Sequence, residues 1–338
     1  MEALYINYSA TVVLVTGGTG FLGSILIKQL ISSGHRVRAT KRATSVIPSY
    51  LEGVSGLEWV TADINDFFAM ADAFDGVTEA YHCAALISYH AADRKRMMTV
   101  NVEGTAHMVN LALEQGVRLL HVSSIAAMGR GKNGQATTEA DLWEYDRHQS
   151  GYAVAKYEAE MEVWRGIAEG LEAVIVNPAL IIGATAAASG NGSTGSIFAE
   201  LHRGLNFYTT GSVGLIDVED VAGAMVLLMQ NRAISGQRFL LSNVNMSHRE
   251  LLARCSALLG RKEPRYRASR WMLGVAWRAA GLWSLISGKR PLLTREAAYA
   301  STQQMAFSNQ KVIEATGIQF KPIDDTLREI CNRLLTKK

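Results

Sequence analysis

Short apolar runs alternate with amphipathic segments through the first half of the chain. Residues 11–15 (TVVLV) form a β-branched run, and the following FLGSILIKQLISSG carries apolar residues at Leu22, Leu26 and Leu30 before it ends at Gly34. This pattern predicts a strand, a turn, a helix and a glycine cap. The same alternation predicts strands near 36–40, 58–61, 78–83, 118–123 and at LEAVIVNP, and helices near 66–74, 94–115 and 150–169. Strands that are apolar on both faces and separated by helices indicate an α/β fold with a Rossmann-type, doubly wound parallel sheet.

The alternation of predicted strands and helices becomes irregular after Pro178. Residues 184–196 are rich in Ala, Gly, Ser and Thr and predict a loop, whereas strand and helix signals return at 214–229 and 237–241. From Ser247, a predicted helix cap, the chain is almost entirely helical to a last helix near 323–335. We therefore predict a sheet domain of residues 1–183 and 214–245. A smaller, mostly helical C-terminal lobe of residues 184–213 and 246–338 is expected to bind the substrate over the carboxyl ends of the strands.

Two glycine runs compete for the role of phosphate-binding loop. SGNGSTGSIF, residues 189–198, matches the dinucleotide fingerprint G-x-G-x-x-G, whereas TGGTGFLG, residues 16–23, has the spacing G-x-x-G-x-x-G. Only the second lies between a predicted strand and a predicted helix. There Gly17 can make the turn, Gly20 can let the backbone approach a pyrophosphate, and Gly23 can let the helix pack on the sheet. We assign the phosphates to residues 16–23 and interpret the first run as a substrate loop.

The charges after this loop indicate which dinucleotide binds. A carboxylate about 20 residues beyond the fingerprint normally accepts the ribose 2′-hydroxyl of NAD, and none is present. Between His35 and Tyr50 the only charged residues are Arg36, Arg38, Lys41 and Arg42. Lys41 and Arg42 end the second predicted strand, where they can bind a 2′-phosphate. The sequence therefore favours NADP(H) as cofactor, with NAD(H) left open.

A Tyr and a Lys at helical spacing provide the predicted chemistry. Tyr152 and Lys156 are four residues apart on the helix near 150–169 and so share one face. An ammonium group and an oxidised nicotinamide ring beside the phenol would lower its pKa from about 10. The strand at 118–123 ends beside Ser124, whose hydroxyl can hydrogen-bond a substrate carbonyl oxygen. Tyr152, Lys156 and Ser124 are the predicted catalytic residues.

With these motifs the sequence resembles the extended short-chain dehydrogenase/reductase superfamily, the NAD-dependent epimerase/dehydratase family, in its dihydroflavonol 4-reductase and 3β-hydroxysteroid dehydrogenase branch. Besides the glycine loop and the Tyr152 helix, the matching stretches are Asp63-Ile64, His82-Cys83-Ala84-Ala85, NVEGT from Asn101, VNPALIIG, DVEDVAGA, GQRFLLSN and PLLTREA. The resemblance implies that Asp63 and Ile64 contact the adenine, Ala84 and Ala85 the pyrophosphate-ribose side, Lys156 the nicotinamide ribose and Pro178 the carboxamide region. The full predicted set of cofactor-binding residues is Gly17, Thr19, Gly20, Phe21, Leu22, Gly23, Lys41, Arg42, Asp63, Ile64, Ala84, Ala85, Asn101, Lys156 and Pro178.

The resemblance implies an NADP(H)-dependent oxidoreductase that reduces a ketone or aldehyde of a small, fairly apolar substrate, or oxidises the alcohol. Ser124-Ile125 stands where nucleotide-sugar dehydratases carry Asp-Glu, which argues against a dehydratase, and Met128 suggests a more apolar pocket than that of sugar epimerases. Asp217 stands where a His is common. A nucleotide-sugar epimerase with tightly bound NAD stays open as an alternative. A non-catalytic NADP(H)-sensing protein is disfavoured by the presence of Tyr152 and Lys156.

The composition and charge of the chain indicate which classes of partner to expect. The net charge is only +3 and the basic residues are scattered, so no nucleic-acid partner is expected. The three cysteines are too widely spaced for a zinc site, so no metal is expected, and the absence of a signal-peptide pattern predicts a cytoplasmic protein. Residues 271–287 are unusually apolar; we expect them to cover the substrate rather than to contact a membrane surface. A homodimer is also expected.

Overall fold

The computed structural model describes residues 12–146, 149–185, 198, 200–201, 204–288, 290–291 and 293–336. Its main sheet has seven strands, all parallel, in the order β10-β6-β5-β4-β1-β2-β3. The strands are β1 (Val12–Thr16), β2 (Arg36–Lys41), β3 (Leu57–Thr61), β4 (Val77–His82), β5 (Arg118–Val122), β6 (Ala173–Pro178), β7 (Leu180–Ile182), β8 (Phe207–Tyr208), β9 (Ser212–Asp217), β10 (Gln237–Leu241), β11 (Val244–Ser247) and β12 (Tyr266–Arg267). The predicted doubly wound α/β fold is confirmed.

Helices cover both faces of this sheet. They are α1 (Phe21–Ser32), α2 (Phe67–Phe74), α3 (Arg94–Met97), α4 (Gly104–Gln115), α5 (Gly151–Ala168), α6 (Val218–Gln230), α7 (His248–Leu258), α8 (Arg270–Ser287), α9 (Arg295–Ala300), α10 (Gln310–Thr316) and α11 (Ile323–Thr336). Apolar residues of α1 and α6 form one core with the sheet, and those of α2, α4 and α5 form a second core on its other face. The sheet is therefore buried on both sides, as its continuous apolar strands require.

The helix predicted over 94–115 is interrupted. A π-helical segment, Met98–Glu103, joins α3 to α4 and contains the buried Asn101. π-Helical segments inside α-helices are frequent at functional sites, because the extra residue redirects a side chain. Here it directs Asn101 toward the loop that follows β4.

A smaller sheet lies beyond the main one. β11, β9 and β7 are hydrogen-bonded in that order and share a third core with α7 and α11. One segment that the sequence assigned to the C-terminal lobe instead packs on the sheet domain, since Val312 of α10 lies in the core formed by α1 and α6. The Gly190 run, and with it most of the predicted loop at 184–196, lies outside the described residues. The rest of the division into two units stays a prediction.

Candidate active site

The glycine loop between β1 and α1 is built for a close approach. Gly17 has φ +69°, and a Cβ there would lie 2.8 Å from the backbone nitrogen of Ala84. Gly20 donates its N–H to the carbonyl of Gly17 at 2.9 Å, and a Cβ on Gly23 would overlap that same carbonyl. Gly20 caps α1 without any side-chain hydrogen bond to the first turn. The first N–H groups of α1 are therefore left for another acceptor, and the loop fits the phosphates of a dinucleotide.

Buried side chains brace this loop from behind. Thr16 Oγ1 lies 2.8 Å from Nδ1 of His82, whose Nε2 lies 3.0 Å from Thr105 Oγ1. Thr16 Oγ1 also accepts the N–H of Ala84 at 3.3 Å. Since Thr105 donates its hydroxyl to the carbonyl of Asn101, the geometry favours a neutral His82 with its proton on Nε2. The contacts join the carboxyl ends of β1 and β4.

Asn101 holds the neighbouring loop. Its Oδ1 accepts the N–H of Leu86 at 2.7 Å and its Nδ2 donates to the carbonyl of the same residue at 3.0 Å. The side chain is buried, so both of its polar groups are engaged within the protein. Asn101 thus fixes the segment that carries Ala84 and Ala85, and its predicted contact with the cofactor stays a prediction.

The cations at the end of β2 divide into two kinds. Arg38 is committed to the fold, because it donates to Glu58 at 3.0 Å and to the carbonyls of Ala73 and Asp75. Arg42 is exposed and its guanidinium makes no hydrogen bond or ion pair within the described part of the chain. Lys41 reaches Thr61 Oγ1 at 3.4 Å. Lys41 and Arg42 lie at the carboxyl end of β2, and β2 pairs with β1, which leads into the glycine loop. A 2′-phosphate is expected at this end of β2.

The other predicted cofactor residues lie along the carboxyl edge of the sheet or at the start of α1. Asp63 and Ala85 are exposed, Ala84 is half-buried, and Ile64 and Pro178 are buried. Ile64 fills the space beside Gly104, where a Cβ would lie 2.8 Å from its side chain. Thr19, Phe21 and Leu22 belong to the loop and to the first turn of α1.

Tyr152, Ser124 and Lys156 meet where α5 passes β5. Burial raises the pKa of Tyr152 to about 12, and a hydrogen bond with the Ser124 side chain acts in the opposite direction. Burial lowers the pKa of Lys156 to about 8, opposed by the carboxylate of Glu160; its Nζ donates to the carbonyl of Val122 at 2.7 Å. In the chain alone, the phenol pKa is thus raised by burial and not lowered by Lys156 as expected. The predicted lowering would need the charge of the oxidised nicotinamide and stays a prediction.

A buried carboxylate organises the floor of this site. Glu160, one turn beyond Lys156, accepts hydrogen bonds from Ser123 Oγ at 2.6 Å and from Asn177 Nδ2 at 2.7 Å. Arg238 of β10 forms an ion pair with its other oxygen at 3.2 Å. Asn177 also donates to the carbonyl of Ser124 at 3.1 Å. The network links α5, β6 and β10 to the backbone that carries Ser124, and it was not anticipated from the sequence.

The described residues line two cavities. One cavity of about 170 Å³ is lined by Tyr89 and other residues of the segment after β4, by Gly151 and Val154 of α5, and by Tyr145, Gln149 and Glu296. The ring of Tyr89 lies 6.0 Å from that of Tyr152. A cavity of about 310 Å³ is lined by residues of the predicted substrate segments: Tyr208, Thr209, Thr210, Gly211, Ser247, Arg249, Arg267 and Gln304. Tyr152 and Ser124 are absent from the described lining of both.

Comparisons with known proteins give matches over most of the chain. The family model described as the NAD dependent epimerase/dehydratase family matches residues 13–241. A protein named "Putative dihydroflavonol 4-reductase" from Synechocystis sp. is 30% identical over 321 residues, 93% of this chain and 92% of that protein. Sterol demethylase protein B of Methylococcus capsulatus is 32% identical over 268 residues, 78% of this chain and 79% of that protein. The crystal structure of gox2253 superposes with a TM-score of 0.81 and 29% identity, covering 96% of this chain and 98% of that one.

Proposed function

We propose that the chain, which belongs to the NAD dependent epimerase/dehydratase family, uses NADP(H) to reduce a ketone or aldehyde of a small, fairly apolar substrate, or to oxidise the alcohol. The protein is an NAD(P)-dependent oxidoreductase of the extended short-chain dehydrogenase/reductase type. The observation that carries the proposal is the convergence of Tyr152, Ser124 and Lys156 beside a glycine loop that fits phosphates. The relatives named for dihydroflavonol and sterol chemistry support an apolar substrate.

The proposed roles follow from the protonation states of the side chains. When bound, the nicotinamide supplies hydride to the carbonyl carbon or accepts it from the alcohol. Because the pKa of Tyr152 lies at about 12, the phenol is protonated at neutral pH and can donate its proton to the carbonyl oxygen during reduction. Ser124 hydrogen-bonds that oxygen as negative charge develops on it. Lys156, held by Val122, binds the nicotinamide ribose and returns a proton to Tyr152.

A matched pair of tyrosine variants tests this assignment. Tyr152→Phe should lose about 100- to 10,000-fold in turnover while it still binds NADPH, because only proton transfer is removed. Tyr157→Phe is the control, since the ring of Tyr157 stacks on Trp143 at 4.1 Å, away from the reacting groups. The assay follows NADPH absorbance with a panel of ketones and aldehydes. A Tyr152→Phe enzyme as active as the control would remove Tyr152 from the mechanism.

The preference for NADP(H) is proposed from the exposed Arg42 guanidinium, with Lys41 beside it. Arg42→Ala should weaken NADPH binding about 10- to 100-fold, the value of a hydrogen bond to a charged group, and leave NADH binding unchanged. Arg36→Ala is the control, because Arg36 begins β2 at the opposite end of the same strand. Dissociation constants for both dinucleotides decide the matter. Wild-type protein that binds NADH at least as tightly as NADPH would contradict the preference.

The family is named for epimerases as well as dehydratases, and a nucleotide-sugar epimerase with tightly held NAD is the second proposal. The UDP-glucose 4-epimerase of Thermotoga maritima, whose fold is similar (TM-score 0.77, 20% identity), supports it. It predicts that NAD co-purifies with the chain and that turnover causes no net change in nicotinamide absorbance. We further propose that residues 184–213 and 246–338, except α10, form the lobe that binds the substrate, and that the protein is a homodimer.

A further inference from the structure

Helix α8 carries a row of large apolar side chains on the outside of the protein. Trp271, Val275, Leu282 and Ile286 follow one another at spacings of four, seven and four residues, which keeps them on one face of an α-helix. Trp283 lies beside this row. Trp271 is 72% exposed, Trp283 67% and Ile286 80%. The sequence led us to expect that residues 271–287 cover the substrate, whereas this face of the helix is exposed.

The helix lies on the surface throughout its length. No described side chain of α8 is buried, whereas every other helix of 12 or more residues contributes buried residues to a core. A contiguous exposed patch of this kind indicates an interaction surface, because soluble proteins otherwise bury such residues. The described helices include none that is both long and apolar enough to cross a membrane.

The charge around the helix identifies the kind of partner. Residues 261–290 contain eight of the chain's 34 basic residues and one of its 31 acidic residues. Arg265, Arg267 and Arg270 are exposed just before the apolar row begins. A second copy of the chain would bring two strongly basic segments together, which is unfavourable. An anionic surface is complementary to this segment.

One arginine sits within the apolar row itself. Arg278 lies three residues after Val275 and four before Leu282; its guanidinium lies 4.5 Å from the ring of Trp277 and donates to the carbonyl of Gly274 at 2.8 Å. An arginine can place its apolar stem among neighbouring side chains and its charge at the level of lipid head groups. Tryptophan and arginine together are typical of helices that lie in the membrane interface.

We propose that α8 docks the protein on the surface of an anionic lipid bilayer, with Trp271, Trp283 and Ile286 inserted at head-group level. The helix lies parallel to the bilayer, since the basic segment must face the lipid phosphates while the apolar row enters the acyl boundary. The inference stands independently of the reaction that the enzyme catalyses.

Vesicle co-sedimentation of the full chain tests the proposal. The chain should bind vesicles of phosphatidylcholine with about 30% phosphatidylglycerol at least about 10-fold more tightly than vesicles of phosphatidylcholine alone. This difference in affinity should shrink at high salt, because salt screens the attraction between the basic residues and the anionic lipids. The triple variant Trp271→Ser, Trp283→Ser, Ile286→Ser should bind on the order of 100-fold more weakly. Its control is Phe68→Ser, because Phe68 of α2 is 81% exposed far along the chain from α8.

A charge-reversal pair separates electrostatic from apolar binding. Lys262→Glu with Arg265→Glu should reduce binding to anionic vesicles about 10-fold, whereas Lys95→Glu with Arg96→Glu, an exposed basic pair on α3, should not. Unchanged thermal unfolding would show that each variant is folded. Failure of the wild-type chain to bind anionic vesicles at low salt, equal binding of the triple variant, or loss of a dimer in the triple variant would each overturn the proposal.

Discussion

Two histidines buried side by side under the glycine loop predict a marked sensitivity to acid. The rings of His82 and His121 lie 5.2 Å apart. Burial, with a contribution from the charge of Lys156, lowers the pKa of His82 to about 3 and that of His121 well below its usual value. Neither ring nitrogen of His121 has a hydrogen-bond partner within the described part of the chain. Both side chains therefore fold in the neutral form.

The direction and size of the effect follow from proton linkage. Because the folded-state pKa values are depressed, the unfolded chain binds more protons below pH 6.5, and stability is complete above that pH and lost as the pH falls. At pH 5 an unfolded histidine with a pKa of about 6.5 favours unfolding by about 2 kcal/mol, and this value does not depend on how far below 5 the folded-state pKa lies. The pair should thus cost about 4 kcal/mol of stability at pH 5.

The substitution His121→Leu removes the contribution of one of the two histidines to this loss of stability at pH 5. Leucine has a similar volume and no polar atoms, so the variant should be more stable than wild type by about 1 kcal/mol at pH 7, where two unpaired nitrogens are removed. At pH 5 its advantage should grow by about 2 kcal/mol. Urea denaturation of both proteins at the two pH values measures the difference, in which all other titrating groups cancel. An advantage that is the same at pH 5 and pH 7 would refute the reasoning.

Further substitutions probe the loop and the floor of the site. Gly17→Ala should weaken dinucleotide binding at least about 10-fold because its Cβ would collide with the backbone after β4, whereas Gly53→Ala, with φ +67° but open space around it, should leave binding unchanged in a fluorescence titration. Glu160→Gln should cost about 3 kcal/mol in unfolding experiments, since it removes the carboxylate that pairs with the half-buried Arg238 guanidinium and accepts hydrogen bonds from Ser123 and Asn177. The same change removes a charge that raises the pKa of Lys156, so the alkaline limb of the kcat/KM profile should move to lower pH. Glu158→Gln, on the exposed side of α5, should leave the profile where it is, and an identical profile for both variants would contradict the role of Glu160.

Local patterns were enough to predict the parallel sheet and the helices that cover it, and to bring Tyr152 and Lys156 onto one helix. The alternation of β-branched runs and amphipathic stretches depends only on neighbouring residues, and so does the i, i+4 spacing of Tyr152 and Lys156. The glycine loop was identified because a strand and a helix flank it, although its spacing departs from the fingerprint. The cap residue Ser247 was likewise anticipated, and its hydroxyl accepts the N–H of Glu250, the third residue beyond it.

Features that depend on distant partners could not be predicted in the same way. Glu160 lies in the polar stretch KYEAEMEV of α5 and resembles a surface residue in sequence. It is buried beside Ser123, which follows β5, Asn177 of β6 and Arg238 of β10, all distant from it along the chain. Tyr89 approaches Tyr152 only through the fold. An apolar helix face has the same sequence whether it meets a core, a substrate or a lipid, so the sequence could not show which way α8 turns its tryptophans.

The backbone passes repeatedly between the seven-stranded sheet and the sheet of β7, β9 and β11. It leaves the main sheet at Ala179, returns where β9 runs directly into α6, and leaves again between β10 and β11. It returns once more when α10 packs Val312 against the first core, before α11 joins the third. In a chimaera that exchanged only the C-terminal helices with those of a relative, β7 and β9 would have to pack against helices from another protein. An exchange of the proposed substrate lobe between relatives must therefore transfer several separated segments at once.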